Sequence, residues 1–394
     1  MADIIVLGSN YSTTLGAVRA IGMAGYNVSL ISTSKECASI VERSKYVDET
    51  CTCSLEYTDI FRSLEAMRGN KDKSLIFPTN DYGTSLLDLH MEELKEHYVF
   101  PNIEKSPEKM TAFMDKYKQK CLAAECGIAV PEGGIYEGST DGIEKAKREV
   151  QYPCVVKAIS SVGYLKSKTL LSVCNNKSEL EKAMIAAIEK EWSHILVERY
   201  LEIEKEYAVY GLALDGRVVL PSCLHTRRSG HGSHKGVTAE GVMLFPDFLG
   251  EDKNKLEKLV QRSGLNGLFC IDLILSNNQI FFVEMNLRYG ASGFAATMAG
   301  ANLPGAYVDA MLSNKEIDKN MRMLYEPQFL NEKVELDDYR MGYISWREYK
   351  AHQKNNMIRF IKSKDDPGPW KKFQSLERRK HMAAILRGTK PRNK

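Results

Sequence analysis

Hydrophobic and polar positions alternate along this chain in short blocks that predict an α/β protein. Residues 3–7 (DIIVL) form an apolar run, followed by Gly8-Ser9-Asn10-Tyr11-Ser12, a helix-like stretch (TLGAVRAIGMAG) closed by Gly25-Tyr26-Asn27, and a second apolar run, VSLIS. That order predicts a strand–helix–strand unit with parallel strands. Residues 74–78 (SLIFP) repeat the strand signal, end in Thr79-Asn80-Asp81 and lead to a helix through His90; the module closes near Val99-Phe100-Pro101. Ser106-Pro107-Glu108 offers an N-cap, proline at N1 and acid in the first turn. It predicts one helix running through TAFMDKYKQKCLAAECG to Gly127. Further on, strand-like runs at 152–158 and 195–201 flank an amphipathic helix at 178–189. Asp215-Gly216 predicts a tight hairpin, and residues 253–262 and 303–312 predict helices.

The most sharply patterned stretch is 267–290, GLFCIDLILSNNQIFFVEMNLRYG. Two runs rich in Ile, Leu, Phe and Val flank Ser276-Asn277-Asn278, which predicts a β-hairpin. A turn centred on Asn278 sets Asp272 opposite Glu284. Alternation then gives Glu284, Asn286, Arg288 and Asp272 one shared face, with apolar residues on the other. Facing carboxylates repel and are best kept with a cation between them. Asp, Glu and Asn are oxygen ligands suited to Mg²⁺, and Arg288 stands where the metal's anion would lie. A solvated polar strand face is the plain alternative.

Upstream, Lys157 ends the short apolar strand of YPCVVKA, where a charged residue needs a partner. Ser160-Ser161-Val162-Gly163-Tyr164 follows, a small polar turn able to present backbone N–H groups to phosphate. Lys116 follows Asp115 on the helix and alone reads as a solvated lysine. Residues 225–241, with His225, Arg227, Arg228, His231, His234 and Lys235, predict a flexible cationic loop closing on an anionic substrate; a zinc site and an inert surface loop are the alternatives.

A length of 394 residues predicts two to four subdomains, and 43% apolar with 27% charged residues predicts a soluble globular protein. No apolar run approaches a membrane span and no leader pattern precedes the first strand, so a cytoplasmic location is expected. Nine scattered cysteines suit reduced, buried thiols. No G-x-G-x-x-G or G-x-x-x-x-G-K-[ST] fingerprint occurs. Net charge is +3, but residues 345–394 hold 15 Lys/Arg against 4 Asp/Glu, a surplus of +11 that leaves −8 on residues 1–344. After Pro367-Gly368-Pro369-Trp370, residues 371–387 predict a basic amphipathic helix, either packed and solvated or docking an anionic surface or a phosphate-bearing substrate.

Lys116, Lys157, Glu198, Glu206, Asp272, Glu284, Asn286 and Arg288 stand in the order and approximate spacing of an ATP-grasp ligase. The run DK-x₁₀-GI-x-VP from Asp115 is similar to the stretch that introduces the nucleotide domain there. VEMNLRYGASGFAATMAGANL, with a basic tail after it, resembles the D-aspartate ligase branch of the carboxylate–amine ligases. The resemblance implies an α/β fold in which two α+β ATP-grasp subdomains clamp ATP behind a Rossmann-like domain. The expected boundaries are 1–105 for that first domain, 106–192 for the small lid, 193–315 for the large subdomain with the metal site, and 316–394 for a basic extension. It implies ATP with Mg²⁺ or Mn²⁺. ATP would meet Lys116, Lys157, Ser160, Ser161, Gly163 and the segment Glu198, Arg199, Tyr200 and Leu201 at the adenine edge, with Glu206 on the ribose. Asp272, Glu284 and Asn286 would hold the metal, and Lys157 and Arg288 would act in catalysis. The substrate would meet His225, Arg227, Arg228, Lys235, Arg288 and Gly290.

The implied reaction activates a carboxylate as an acyl phosphate and joins it to an amine, releasing ADP and phosphate. The partners expected are a small-molecule carboxylate and amine, with a phosphate-bearing or membrane-linked acceptor met by the tail. A carboxylase or carbamoyl-phosphate-type enzyme is the alternative. A non-catalytic nucleotide- or nucleic-acid-binding protein is the reading from a different class. The tail lacks a reader motif and the body is acidic, so no nucleic-acid partner is expected.

Overall fold

Three sheets carry the chain in the computed structural model, which describes residues 3–69, 73–160, 162, 171–234, 236–354 and 357–386. The first is built from β1 (Ile4–Gly8), β2 (Val28–Ser32), β3 (Val47–Thr52), β4 (Ser74–Pro78) and β5 (Tyr98–Val99), all parallel, in the order β3-β2-β1-β4-β5. Strands β1, β2 and β4 are buried along their whole length, as a parallel sheet covered on both faces requires. Strand order reverses between β1 and β4, so their carboxyl ends open a crevice. Asn10 and Asn80 flank it, each capping the helix that follows: Asn10 Oδ1 accepts from Ser12 N (2.9 Å) and Asn80 Oδ1 from Gly83 N (2.6 Å).

After β6 (Asn102–Ile103), the single helix expected from residue 106 is two. Helix Lys109–Phe113 ends, and Asp115 caps a new helix, Lys116–Glu125, by accepting from Tyr117 N (2.8 Å) and Lys118 N (3.0 Å). An aspartate inside a helical pattern competes for backbone N–H groups, and here it restarts the helix.

The second sheet is small and antiparallel: β7 (Gly133–Glu137), β8 (Cys154–Ala158), β9 (Leu171–Cys174) and β10 (His194–Arg199), ordered β7-β10-β8-β9. Because β10 lies between β7 and β8, the small subdomain runs past the boundary expected at 192. Trp192, Ile195, Val156 and Leu180 fill its own core.

The third sheet has eight strands. β11 (Lys205–Leu214), β12 (Arg217–Ser229), β13 (Thr238–Leu244), β14 (Leu265–Ser276), β15 (Gln279–Asn286), β16 (Gln328–Leu330) and β17 (Ile358–Arg359) run in the order β15-β14-β11-β12-β13-β16-β17, and β6 joins β14. One face packs on helices Lys116–Glu125 and Glu251–Ser263 around Val209, Leu256, Phe269 and Ile271. The other shares a core with the first sheet's helices and with Phe360 and Phe373. Residues 316–386 therefore supply two strands and part of the central core, where a basic extension was expected. Much of the run 225–241 is also strand rather than loop: β12 and β13 pair across it, joined through a short turn at Gly232–His234. All nine cysteines are unpaired, and no helix among the described residues is long and apolar enough to cross a membrane.

Candidate functional site

The hairpin β14–β15 turns at Asn277-Asn278, both at positive φ (49° and 58°), the geometry that two-residue hairpins favour and asparagine tolerates. Ser276 pairs with Gln279, so an unbroken ladder would set Asp272 opposite Val283. A β-bulge takes up one residue, and Asp272 faces Glu284 while Cys270 faces Asn286. Asn286 Nδ2 donates to Asp272 Oδ2 (3.1 Å), and Arg288 Nη2 donates to Asn286 Oδ1 (3.4 Å). Arg288 Nε donates to Asp81 Oδ1 (2.9 Å), so the first domain reaches into the cluster from the crevice beside β4.

Helix Lys116–Glu125 is set against β15 by buried Gln119. Its Nε2 donates to Met285 O (2.8 Å) and its Oε1 accepts from Met285 N (2.8 Å). Lys116 N donates to Ile159 O (2.9 Å), tying the helix start to the end of β8. Lys116 and Lys120, one turn apart, share a helix face. Lys116 Nζ lies 2.6 Å from Glu284 Oε2 on β15. Lys120 pairs with one oxygen of Glu198 on β10, and Lys157 from β8 pairs with the other. Lysines from the helix and the small sheet thus meet carboxylates of both sheets at one seam.

Charge is poorly balanced there. Burial, then the charge of Glu284, pushes the Asp272 carboxyl up to about 7. Burial acts on Glu284 in the same sense, but the Lys116 ammonium holds it below the usual carboxylate range. Burial, then the charges of Lys157 and Lys116, pushes Lys120 down to about 5, and burial, then Lys116, pushes Lys157 down to about 8. Two facing carboxylates with an amide oxygen beside them form a donor set that fits a hard divalent cation such as Mg²⁺ or Mn²⁺. Among the described residues no group of three or more His, Cys, Asp or Glu side chains gathers as a metal site. In the run read alternatively as a zinc site, His231 turns to Asp338 and His234 to Asp337.

Glu206 lies on β11 opposite Thr226 and accepts from Ser229 Oγ (3.2 Å). With Thr226, Asp272, Ser292 and Asn331 it lines a cavity of about 270 Å³. Buried Gly290 packs against the Tyr210 ring, where a Cβ would come within 2.7 Å. Arg199 is exposed at the end of β10, Tyr200 N donates to Pro153 O (2.9 Å) and Leu201 is half-buried. Ser160 Oγ accepts from Val162 N (3.3 Å). Ser161, Gly163 and Lys235 lie outside the described residues.

Three residues expected to meet substrate stand elsewhere. His225 packs on Tyr207 on the opposite sheet face, and Arg227 is exposed at a bulge. Arg228 is held by Glu335 and, at 2.7 Å, by Asp338, both fully buried. Two buried carboxylates need that guanidinium, which leaves it no free charge for a ligand. Lys120, Gln119 and Asp81 belong to the site without having been expected there. Only the four-residue spacing of Lys116 and Lys120 was open to a sequence reading.

The ATP-grasp domain family model matches residues 121–305. The carbamoyl phosphate synthase large chain of Sulfolobus acidocaldarius is 23% identical over 241 residues, 60% of this chain and 22% of that protein. The chain thus spans about a fifth of that relative. Among solved structures, N5-carboxyaminoimidazole synthetase from Staphylococcus aureus complexed with ADP superposes with a TM-score of 0.67 at 18% identity, covering 93% of this chain and 91% of that one. L-amino acid ligase from Bacillus licheniformis gives 0.62 at 14% identity, covering 83% and 79%. Residues 121–305 match the ATP-grasp domain model, within a chain that has the ATP-grasp fold.

Proposed function

We propose that the chain activates a carboxylate with ATP and passes the acyl group to an amine. One observation carries the reading: Asp272 faces Glu284 and Asn286 at a seam that Lys116 and Lys157 also reach. Asp272, Glu284 and Asn286 would hold Mg²⁺ or Mn²⁺, which when bound supplies positive charge against phosphate oxygens. Lys116 and Lys157 orient the phosphates, residues Glu198–Leu201 meet the adenine edge, and Glu206 takes the ribose hydroxyls. A substrate carboxylate oxygen bonds to the γ-phosphorus as ADP leaves. The amine nitrogen then bonds to the acyl carbon as phosphate leaves, and its proton passes to solvent. Arg288, steadied by Asp81, neutralises the developing oxyanion. The crevice between β1 and β4, with Ser9, Asn10 and Asn80, opens beside Asp81 and gives the first domain a substrate-facing role.

The carboxylase or carbamoyl-phosphate-type alternative draws support from relatives named for carbamoyl and carboxy groups, so a one-carbon acid is our first reading of the carboxylate. The D-aspartate ligase identity draws none from them. A second reading, an amino acid, is favoured by the cavity beside Asp272. Its volume of about 270 Å³, which runs on to Glu206, is more room than a one-carbon acid fills. Phosphate release with MgATP, an amine panel and either ¹⁸O-bicarbonate or ¹⁸O-labelled amino acids tests both. Acyl phosphate chemistry delivers one ¹⁸O to the released phosphate, and Glu284→Gln should cut that release on the order of 10²–10³-fold with the fold intact. Release without isotope transfer, or an active Glu284→Gln at saturating Mg²⁺, would sink the reading.

A further inference from the structure

We propose that Lys120 is a positioning residue that takes over Glu198 when Lys157 leaves it for the phosphates of an incoming nucleotide. The inference rests on the functional reading above. Glu198 is 2% exposed and carries an amine on each oxygen, Lys120 on one and Lys157 on the other. One carboxylate neutralises one cation, so the pocket holds an amine in surplus.

Position separates the two lysines. The Lys157 side chain keeps 13% of its surface exposed and stands next to the last residue of β8, on the way to Ser160, whereas Lys120 keeps 5%. Lys120 is also fixed in place, because the neighbouring Gln119 clamps its helix to Met285. Lys157 is therefore the amine able to swing to a phosphate, and Lys120 the one that stays.

Without Lys120, that swing would leave Glu198 buried and unpaired, and a buried charge stripped of its partner is strongly destabilising. With Lys120 in contact, the carboxylate keeps a partner throughout. The depressed pKa values of both lysines, each caused first by burial and then by neighbouring lysines, agree with two amines crowded on a single carboxylate. Lys116 does not compete, since Glu284 already holds it.

The test is a double-mutant cycle on the full chain, with MgATP affinity read by titration calorimetry. Lys120→Met should weaken MgATP about tenfold, and Lys120→Arg should stay within threefold of the parent. In a Glu198→Gln background, where no carboxylate holds Lys157 back, adding Lys120→Met should change affinity less than threefold. If Lys120→Met does not fold, Lys120→Gln replaces it in the same cycle. Parent-like affinity of the single variant, or an equal loss in both backgrounds, assigns Lys120 to packing and overturns the proposal. A parent that fails to bind MgATP fails the functional reading itself, before any variant is compared.

Discussion

A lysine sealed against a carboxylate that another lysine already holds should cost the nucleotide-free protein stability, and the cost has a pH signature. Burial lowers Lys120 from its ordinary 10.5 to about 5. Between those values the unfolded chain binds a proton that the folded chain lacks, so this residue makes stability rise with pH across that window. Lys120→Met should therefore melt above the parent near pH 6, with the gap closing as pH rises to 9. Calorimetric melts without nucleotide would show it, and a gap constant in pH would mean that Lys120 keeps its proton. Arg288 poses a different question, because Asp81 holds it from another domain. Asp81→Asn removes that charge at nearly constant volume. It should lower kcat about tenfold while leaving the KM for MgATP unchanged, as expected when only the transition state loses a contact. The two side chains also mark how far single residues can be read. Asp272 and Glu284 were legible because each is a carboxylate in an apolar strand, whereas Lys120 sits in KYKQK and resembles any solvated helix turn. Asp81 lies 207 residues from its partner, and nothing local points to the contact.

At the scale of elements, helix Lys116–Glu125 decides the site, because its one face reaches Glu284 on the large sheet and Glu198 on the small one. Its placement depends on Gln119, whose amide substitutes for a neighbouring strand by satisfying both backbone groups of Met285. Gln119→Leu would leave that buried N–H and C=O unpaired. Each stranded group costs roughly 1–3 kcal/mol, so the denaturation midpoint should fall, and the KM for MgATP should rise as Lys116 and Lys120 lose register. Loss of stability with an unchanged KM would show that the lysines are placed by something else. Strands and hairpins were the most legible elements, since alternation and turn chemistry are local. The pairing of Asp272 with Glu284 was expected from a turn centred on Asn278, yet it is reached by a two-residue turn and a bulge. The apolar face had to stay buried in either case, and that requirement set the register. The run at 225–241 misled for the converse reason. Its glycines and histidines suggest a loop, but the pairing of β12 with β13 and the distant carboxylates Glu335 and Asp338 make much of it an ordered interior part of the sheet.

Across the whole molecule, the basic C-terminal stretch is where sequence pattern and structure part most clearly. Its surplus of +11 beside Trp346, Trp370, Phe373 and Leu376 suggested cationic attraction joined to apolar anchors. Three of those anchors face inward and Trp346 does not: Phe373 is buried against Tyr11, and Trp370 and Leu376 pack on the same core. What remains outside is the surplus charge together with exposed Trp346, Met382, Ile385 and Leu386. The stretch is stitched to the first domain by Arg19, 2% exposed, which donates to Asp366 Oδ2 (2.9 Å), Phe360 O (2.8 Å) and Ile361 O (2.8 Å). Asp366 in turn accepts from Ser44 Oγ (2.8 Å) and Lys45 N (3.0 Å). Arg19→Met breaks this tie from one side, leaving a buried carboxylate without its cation, a change that typically costs about 3–5 kcal/mol. Phe360 also lines the cavity beside Asp272, so a loosened C-terminal stretch should disturb that wall before it disturbs the lysine cluster. Arg19→Met should therefore lower the melting temperature, open residues 357–367 to limited proteolysis, and raise the KM of the carboxylate or amine substrate more than that of MgATP. Equal rises in both, or proteolysis confined to the small sheet, would mean that the stretch does not form the cavity wall in solution.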